Sequence, residues 1–130
     1  MGWRVMAIRG ATTVPENSVQ AIRDAVGELL DELESHNLID PDDIISATFS
    51  ATRDLDAIFP AAIARERPHW QNVPLLDVQQ MHVEGSLVRC IRFLIHINTP
   101  VLMKIHHPYL RHARHLRPDW SMAEIGARID

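Results

Sequence analysis

Cys90-Ile91-Arg92-Phe93-Leu94-Ile95-His96-Ile97-Asn98 puts Ile91, Phe93, Ile95 and Ile97 on one side of an extended chain and Cys90, Arg92, Leu94 and His96 on the other. A period of two marks a strand with one face in a core. The stretch predicts a strand over Cys90–Asn98 whose second face presents an arginine. A guanidinium keeps its charge at any physiological pH and is costly to bury without an anionic or hydrogen-bonding partner. Arg92 is therefore half of a structural ion pair or part of a pocket for a small carboxylated ligand, and periodicity leaves both readings open. Arg9, at the end of the first apolar segment, poses the same alternative.

Working outward, Trp3 to Ile8 is rich in strand formers and ends at Arg9-Gly10, where glycine permits a turn. Val19, Ile22, Val26, Leu29, Leu30 and Leu33 recur at helical spacing, with Glu28, Asp31, Glu32 and Glu34 mainly on the solvated face. Asn17 with Gln20 forms a capping pair in this reading, and His36-Asn37 a left-handed stop. After the Asp40-Pro41-Asp42-Asp43 turn the pattern predicts a strand over Ile44–Ala51. A helix follows over Phe59–Arg67, with Pro60 in its first turn and Pro68 ending it. Val73–Val78 reads as a strand, Pro100–Pro108 as a loop and Arg111–Leu116 as a final short strand. Arg117-Pro118-Asp119 and a polar tail follow. The sum is a single domain over 1–130 of mixed α/β, or α+β, class, with a mixed sheet and two main helices. Two helices cover one sheet face, and the bare face calls for self-association.

The chain has 130 residues and a formal net charge of −4, without the positive field that drives non-specific nucleic-acid binding. Its one cysteine, Cys90, excludes a disulfide framework and fits a reducing compartment as a small buried residue. The apolar runs are too short to span a bilayer and the start lacks a signal-peptide pattern, so the expected setting is cytoplasmic. No Ser-His-Asp order, glycine-rich phosphate loop or zinc-helix motif is legible. The eight histidines, including His106-His107 and His112 with His115, lie in no recognised ligand frame and read as ordinary surface or hydrogen-bonded residues. Neither metal nor cofactor is expected. Tyr109, the one tyrosine, is a core filler or a hydrogen-bond donor, and Gln79-Gln80 read as solvent-facing amides or ligand contacts.

Four blocks carry a resemblance: Ile8-Arg9-Gly10-Ala11-Thr12-Thr13, Ser50-Ala51-Thr52-Arg53-Asp54-Leu55-Asp56-Ala57-Ile58-Phe59-Pro60-Ala61, Cys90-Ile91-Arg92 and Leu116-Arg117-Pro118-Asp119. With Tyr109 between the last two, they span almost the whole chain. In order and spacing they resemble the monofunctional chorismate mutases of the Bacillus type. The resemblance implies a homotrimer with a pseudo-α/β-barrel core, active sites between subunits, and cofactor-free conversion of chorismate to prephenate. Residue by residue, it implies that Arg9 and Arg92 bind the carboxylate and ether-oxygen region, and that Tyr109 adds a hydrogen bond. Phe59, Ala61 and Arg65 would close the pocket from the neighbouring subunit, with Leu116 and Arg117 near its mouth.

Three positions depart from the family pattern. Gln80 stands where a glutamate accepts the substrate hydroxyl's hydrogen bond, and an amide oxygen accepts one without charge. Asp77 replaces a cysteine whose backbone groups face that hydroxyl, and Ala62 replaces an entrance lysine. These departures motivate a second reading, a non-catalytic trimeric small-carboxylate binding or regulatory protein of the same fold. A trimeric imine deaminase is an analogy of fold alone.

Overall fold

The computed structural model describes residues 3–100 and 104–120. Positions 101–103 of the expected loop and the expected tail beyond Trp120 lie outside them. The elements are β1 (Arg4–Thr13), α1 (Val19–Asn37), β2 (Ile44–Ala51), α2 (Pro60–Arg65), β3 (Leu75–Gln79) and β4 (Cys90–Thr99), with 3₁₀ turns at Pro41–Asp43 and Arg111–Leu116. The strands form one sheet in the order β1-β4-β2-β3. β4 runs antiparallel to both neighbours, while β2 and β3 are parallel, joined through α2. The expected mixed sheet with two helices is therefore present.

The alternation in β4 decides the layering. Ile91, Phe93, Ile95 and Ile97 are buried beneath the helices together with Ile8, Ala47 and Phe49. Ile22, Val26, Leu29, Leu30 and Leu33 of α1 supply the other half of that core. Burying a side chain of this size contributes about 1.5–3 kcal/mol each, which is why the helix stripe and the strand face select one another. Among the described residues the opposite sheet face is covered at Ala11 by the segment around Tyr109 and Ala113, while Val5, Leu76, Val78 and Leu94 are exposed on its strands.

Several boundaries differ from the sequence reading. β1 does not stop at Arg9-Gly10 but pairs with β4 as far as Thr13↔Cys90. Gly10 is there for space: a Cβ would sit 2.4 Å from Phe93 Cζ, well inside van der Waals contact with the ring. Ser18, not Asn17, caps α1, its Oγ accepting from the Ala21 N–H at 3.1 Å. The left-handed residue at the helix end is Leu38, with φ 50°, not His36 or Asn37. α2 is shorter than Phe59–Arg67, and β3 starts at Leu75 because the Val73 N–H is held in a turn by the Trp70 carbonyl. Arg111–Leu116 is a 3₁₀ turn, not a strand: Arg111 takes φ 53°, which breaks an extended run. The edge pairing expected there falls to Tyr109, bridged in parallel to Ala11.

Candidate active site

The register places Arg92 between Ala11 of β1 and Ser50 of β2, and Leu94 between Arg9 and Thr48. Directly paired residues share a face, so Arg9, Arg92, Thr48 and Ser50 project together on the open side. They line one cavity of about 430 Å³. Among the described residues no carboxylate lies within ion-pair distance of Arg9 or Arg92. Arg92 Nε is buried without a hydrogen-bond partner. The structural ion pair left open by periodicity is therefore not formed among the described residues, and the two guanidinium charges are left without an anion beside them.

Tyr109 is buried beside this cationic pair in a small cluster with Ala11 and Ala113, against which Leu116 and Trp120 pack. The Ala11 N–H donates to the Pro108 carbonyl and the Leu110 N–H to the Ala11 carbonyl, both at 2.9 Å, which fixes the Tyr109 backbone on β1. Burial pushes the phenol above its ordinary value, against the pull of the Arg9, Arg117 and Arg92 charges. The hydroxyl is therefore protonated at neutral pH and can donate. His107 Nδ1 accepts from the Arg9 N–H at 3.0 Å, and the ring stacks on Trp120 at 3.9 Å. Arg117 lies over the same indole, 3.5 Å from the ring centroid, and pairs with Asp119 at 2.7 Å. Cys90 is buried, as expected. Burial raises its thiol above the ordinary value, opposed by the charge and hydrogen bond of Arg92, so it is a packing residue and not a nucleophile.

Gln80 follows β3, its N–H donating to the Ala51 carbonyl at 2.9 Å. Alternation with the exposed Leu76 and Val78 puts it on the same open face as Arg92, two strands across. Strand spacing of about 4.8 Å puts the two backbones roughly 10 Å apart, within reach of a ligand held between long side chains. Gln80 Oε1 is buried and unpartnered, like Arg92 Nε.

The remaining expected residues gather elsewhere. Phe59, Asp77 and Val78 line a second cavity of about 610 Å³, between the loop after β2 and the start of α2. Phe59 is 70% exposed at its rim, Ala61 is buried, and Arg65 is exposed at the helix end. Asp77 turns its carboxylate toward α2, where Oδ1 accepts from the Ala61 N–H at 2.9 Å. That bond supplies the N-terminal cap that Phe59 cannot give. Burial raises this carboxyl above its ordinary value, against the Ala61 N–H and the Arg65 charge.

The loop over the second cavity is tightly held. Asp54 accepts from the Thr52 hydroxyl and from the Arg89 N–H, and the Asn17 side chain donates to Asp56 at 2.7 Å and accepts from the Asp56 and Ala57 N–H groups. Asn17 thus clamps this loop instead of capping α1. Thr48 and Ser50 were not among the expected site residues, although Ser46, Thr48 and Ser50 alternate with Ala47 and Phe49 in the sequence. That pattern is a polar strand face. His107 had no such signal, since its contact with Arg9 is set by the fold.

No helix among the described residues is long and apolar enough to cross a membrane. The fold and the chain also match known proteins. Over 121 residues the chain is 39% identical to chorismate mutase AroH of Bacillus subtilis (strain 168), covering 92% of this chain and 95% of that protein. It is 40% identical over 122 residues to chorismate mutase AroH of Thermus thermophilus, covering 92% of this chain and 99% of the relative. The solved chorismate mutase from Clostridium thermocellum superposes with a TM-score of 0.80 at 43% identity, over 85% of this chain and 98% of that one. The family model described as chorismate mutase type I matches residues 5–120, and the chain belongs to that family of isomerases.

Proposed function

We propose that the chain converts chorismate to prephenate by an intramolecular Claisen rearrangement, as a homotrimer with its sites between subunits. The observation that carries the reading is the unpaired Arg9–Arg92 couple, with Arg92 Nε buried and without an acceptor. In the reaction one carbon–oxygen bond breaks as a carbon–carbon bond forms, and electrons move around a ring with no nucleophile, proton transfer or redox change. A protein accelerates such a step by holding the flexible substrate in its compact reactive conformer and by placing fixed positive charge where negative charge grows. Arg92, on the central strand, faces the ether oxygen. Arg9 and the Tyr109 hydroxyl hold the carboxylate region, and Gln80 Oε1 accepts the substrate hydroxyl. No cofactor is called for by this chemistry.

In one subunit the Arg9–Arg92 cavity and the Phe59 cavity are separate. A neighbouring copy seated on the open sheet face would bring its Phe59, Ala61 and Arg65 against the first cavity, with Leu116 and Arg117 at the mouth. It would also cover Val5, Leu76 and Leu94. Asp77 keeps a backbone role in this site and uses its side chain to set α2. A reducing cytoplasm fits a chain whose single cysteine is buried and free.

Chorismate incubated with the purified protein and a chelator should yield prephenate well above the spontaneous rate. Binding without conversion would establish the non-catalytic carboxylate-binding reading instead. For the shared site, co-refolding Arg65→Ala with Arg92→Ala chains should restore part of the activity each lacks. Roughly a quarter of the sites in a random heterologous ring combine two undamaged sides. Mixed trimers that assemble but recover nothing would place the site within one subunit and overturn the assignment of Arg65 to the neighbour.

A further inference from the structure

We infer that Glu32, His36 and His106 form a binding site for a divalent transition-metal ion of the zinc class, made of residues that take no part in the proposed chemistry. One ligand atom of each lies within 4.8 Å of the others, the one such group among the described residues. Glu32 and His36 are a helical turn apart at the end of α1. Glu32 Oε2 lies 3.4 Å from His36 Nδ1, close to the roughly 3.3 Å edge of a tetrahedron with metal–ligand bonds of about 2.0–2.1 Å. The His36 and His106 ring centroids are 4.8 Å apart and the planes tilted by 37°. Small side-chain rotations close the set.

His106 is held in place by Asn37, a buried polar residue at the last position of α1. Its Nδ2 donates to the His106 carbonyl at 2.8 Å and to the Leu33 carbonyl at 3.0 Å, while its Oδ1 accepts from the His106 N–H at 2.7 Å. The backbone bearing the third ligand is thus locked to the helix that bears the other two, the pre-organisation a metal site requires. The partial negative charge of a helix C-terminus favours a cation here. His36 Nδ1 lies 3.1 Å from Ser35 Oγ and 3.3 Å from the Glu32 carbonyl, contacts that an ion would replace. Two imidazoles and one carboxylate suit zinc and its neighbours better than magnesium or calcium, and three protein ligands leave the fourth position to water. The ion would staple α1 to the segment that continues through His107 to Tyr109.

Chelator-treated full-length protein, titrated with zinc chloride by calorimetry, should bind one ion per chain, and its melting temperature should rise with zinc. His36→Ala and His106→Ala should each weaken binding at least tenfold and abolish the melting shift, while His112→Ala should leave both unchanged. Glu32→Gln, a half-buried and nearly isosteric change, should weaken binding in a protein that folds as the parent does. Cobalt(II) should give the visible absorption of a four-coordinate ion, lost in His106→Ala. Absence of binding and of any melting shift at a hundredfold excess of zinc would overturn the site, as would one-ion binding that survives both histidine substitutions. Prephenate formation is not a readout, so this result stands or falls apart from the proposed reaction.

Discussion

The arginines of this chain fall into two settings. On the helix side, Arg67 pairs with Asp31 and Glu34, both at 2.9 Å, Arg111 with Glu28 at 3.2 Å, and Arg23 with Glu66. Glu34 also accepts from the buried Trp70 indole at 2.6 Å, so the Arg67 network ties α1 to the turn after α2. On the open sheet face, Arg9 and Arg92 share a cavity with no carboxylate beside them among the described residues. The same residue type thus serves structure where its charge is answered within the chain, and is available to a ligand where it is not.

The largest expected effect tests the second half of that contrast. Arg92→Ala should lower turnover at least ~10²-fold, since a preorganised donor at the growing charge is lost. Its urea midpoint should stay near that of the parent, because no internal ion pair is broken. Arg67→Ala should do the reverse. Urea unfolding should show a loss of about 1–3 kcal/mol, with Asp31 and Glu34 left unanswered, and turnover per folded chain should not change. A stability loss in Arg92→Ala together with a turnover loss in Arg67→Ala would break the comparison.

Asp77 sits between the two settings, a carboxylate facing a helix end and not a guanidinium. Asp77→Ala should cost about 1 kcal/mol through loss of the α2 cap, while Asp77→Asn keeps an oxygen for the Ala61 N–H and should retain that stability. The folded protein holds this proton more tightly than the unfolded chain does. Stability from this group is therefore greatest below the ordinary carboxyl value and falls as pH rises to the raised folded value. Thermal melts of the parent and Asp77→Asn across mildly acidic pH should diverge with that sign. The smallest effect belongs to Gln80, which does not titrate. Gln80→Glu should add an acid limb to kcat/KM absent from the parent. Superimposable pH profiles would remove Gln80 from the site.

What could be read in the sequence was what is written locally. β2 begins and ends where the sequence reading put it, because a turn precedes it and its polar and apolar residues alternate. The length of β1 was hidden because Gly10 reads as a turn until Phe93 is known to lie over it. Arg9 and Arg92 stand out as charges in apolar segments and Tyr109 as the one tyrosine, and the resemblance gives them roles. The Asp77–Ala61 cap, the Asn17 clamp and the Glu32–His36–His106 cluster were not legible. Each depends on a partner far along the chain, His106 in the case of the Glu32–His36 turn, and no period connects it to the rest.

The position of β4 bears on how the protein is made. β1 begins at Arg4, yet its partner ends at Thr99, and the outer bridge to Ala11 waits for Tyr109. A chain leaving the ribosome therefore carries Arg9 on an unpaired strand until nearly all of the domain has emerged, while α1 can form as soon as its own residues are free. During that interval β1, with Val5 and Ile8, is a segment that chaperones or another nascent copy could engage. Release from synthesis, pairing of β1 with β4 and assembly of the Arg9–Arg92 face then become one late event, and chains truncated before β4 should carry no partial activity.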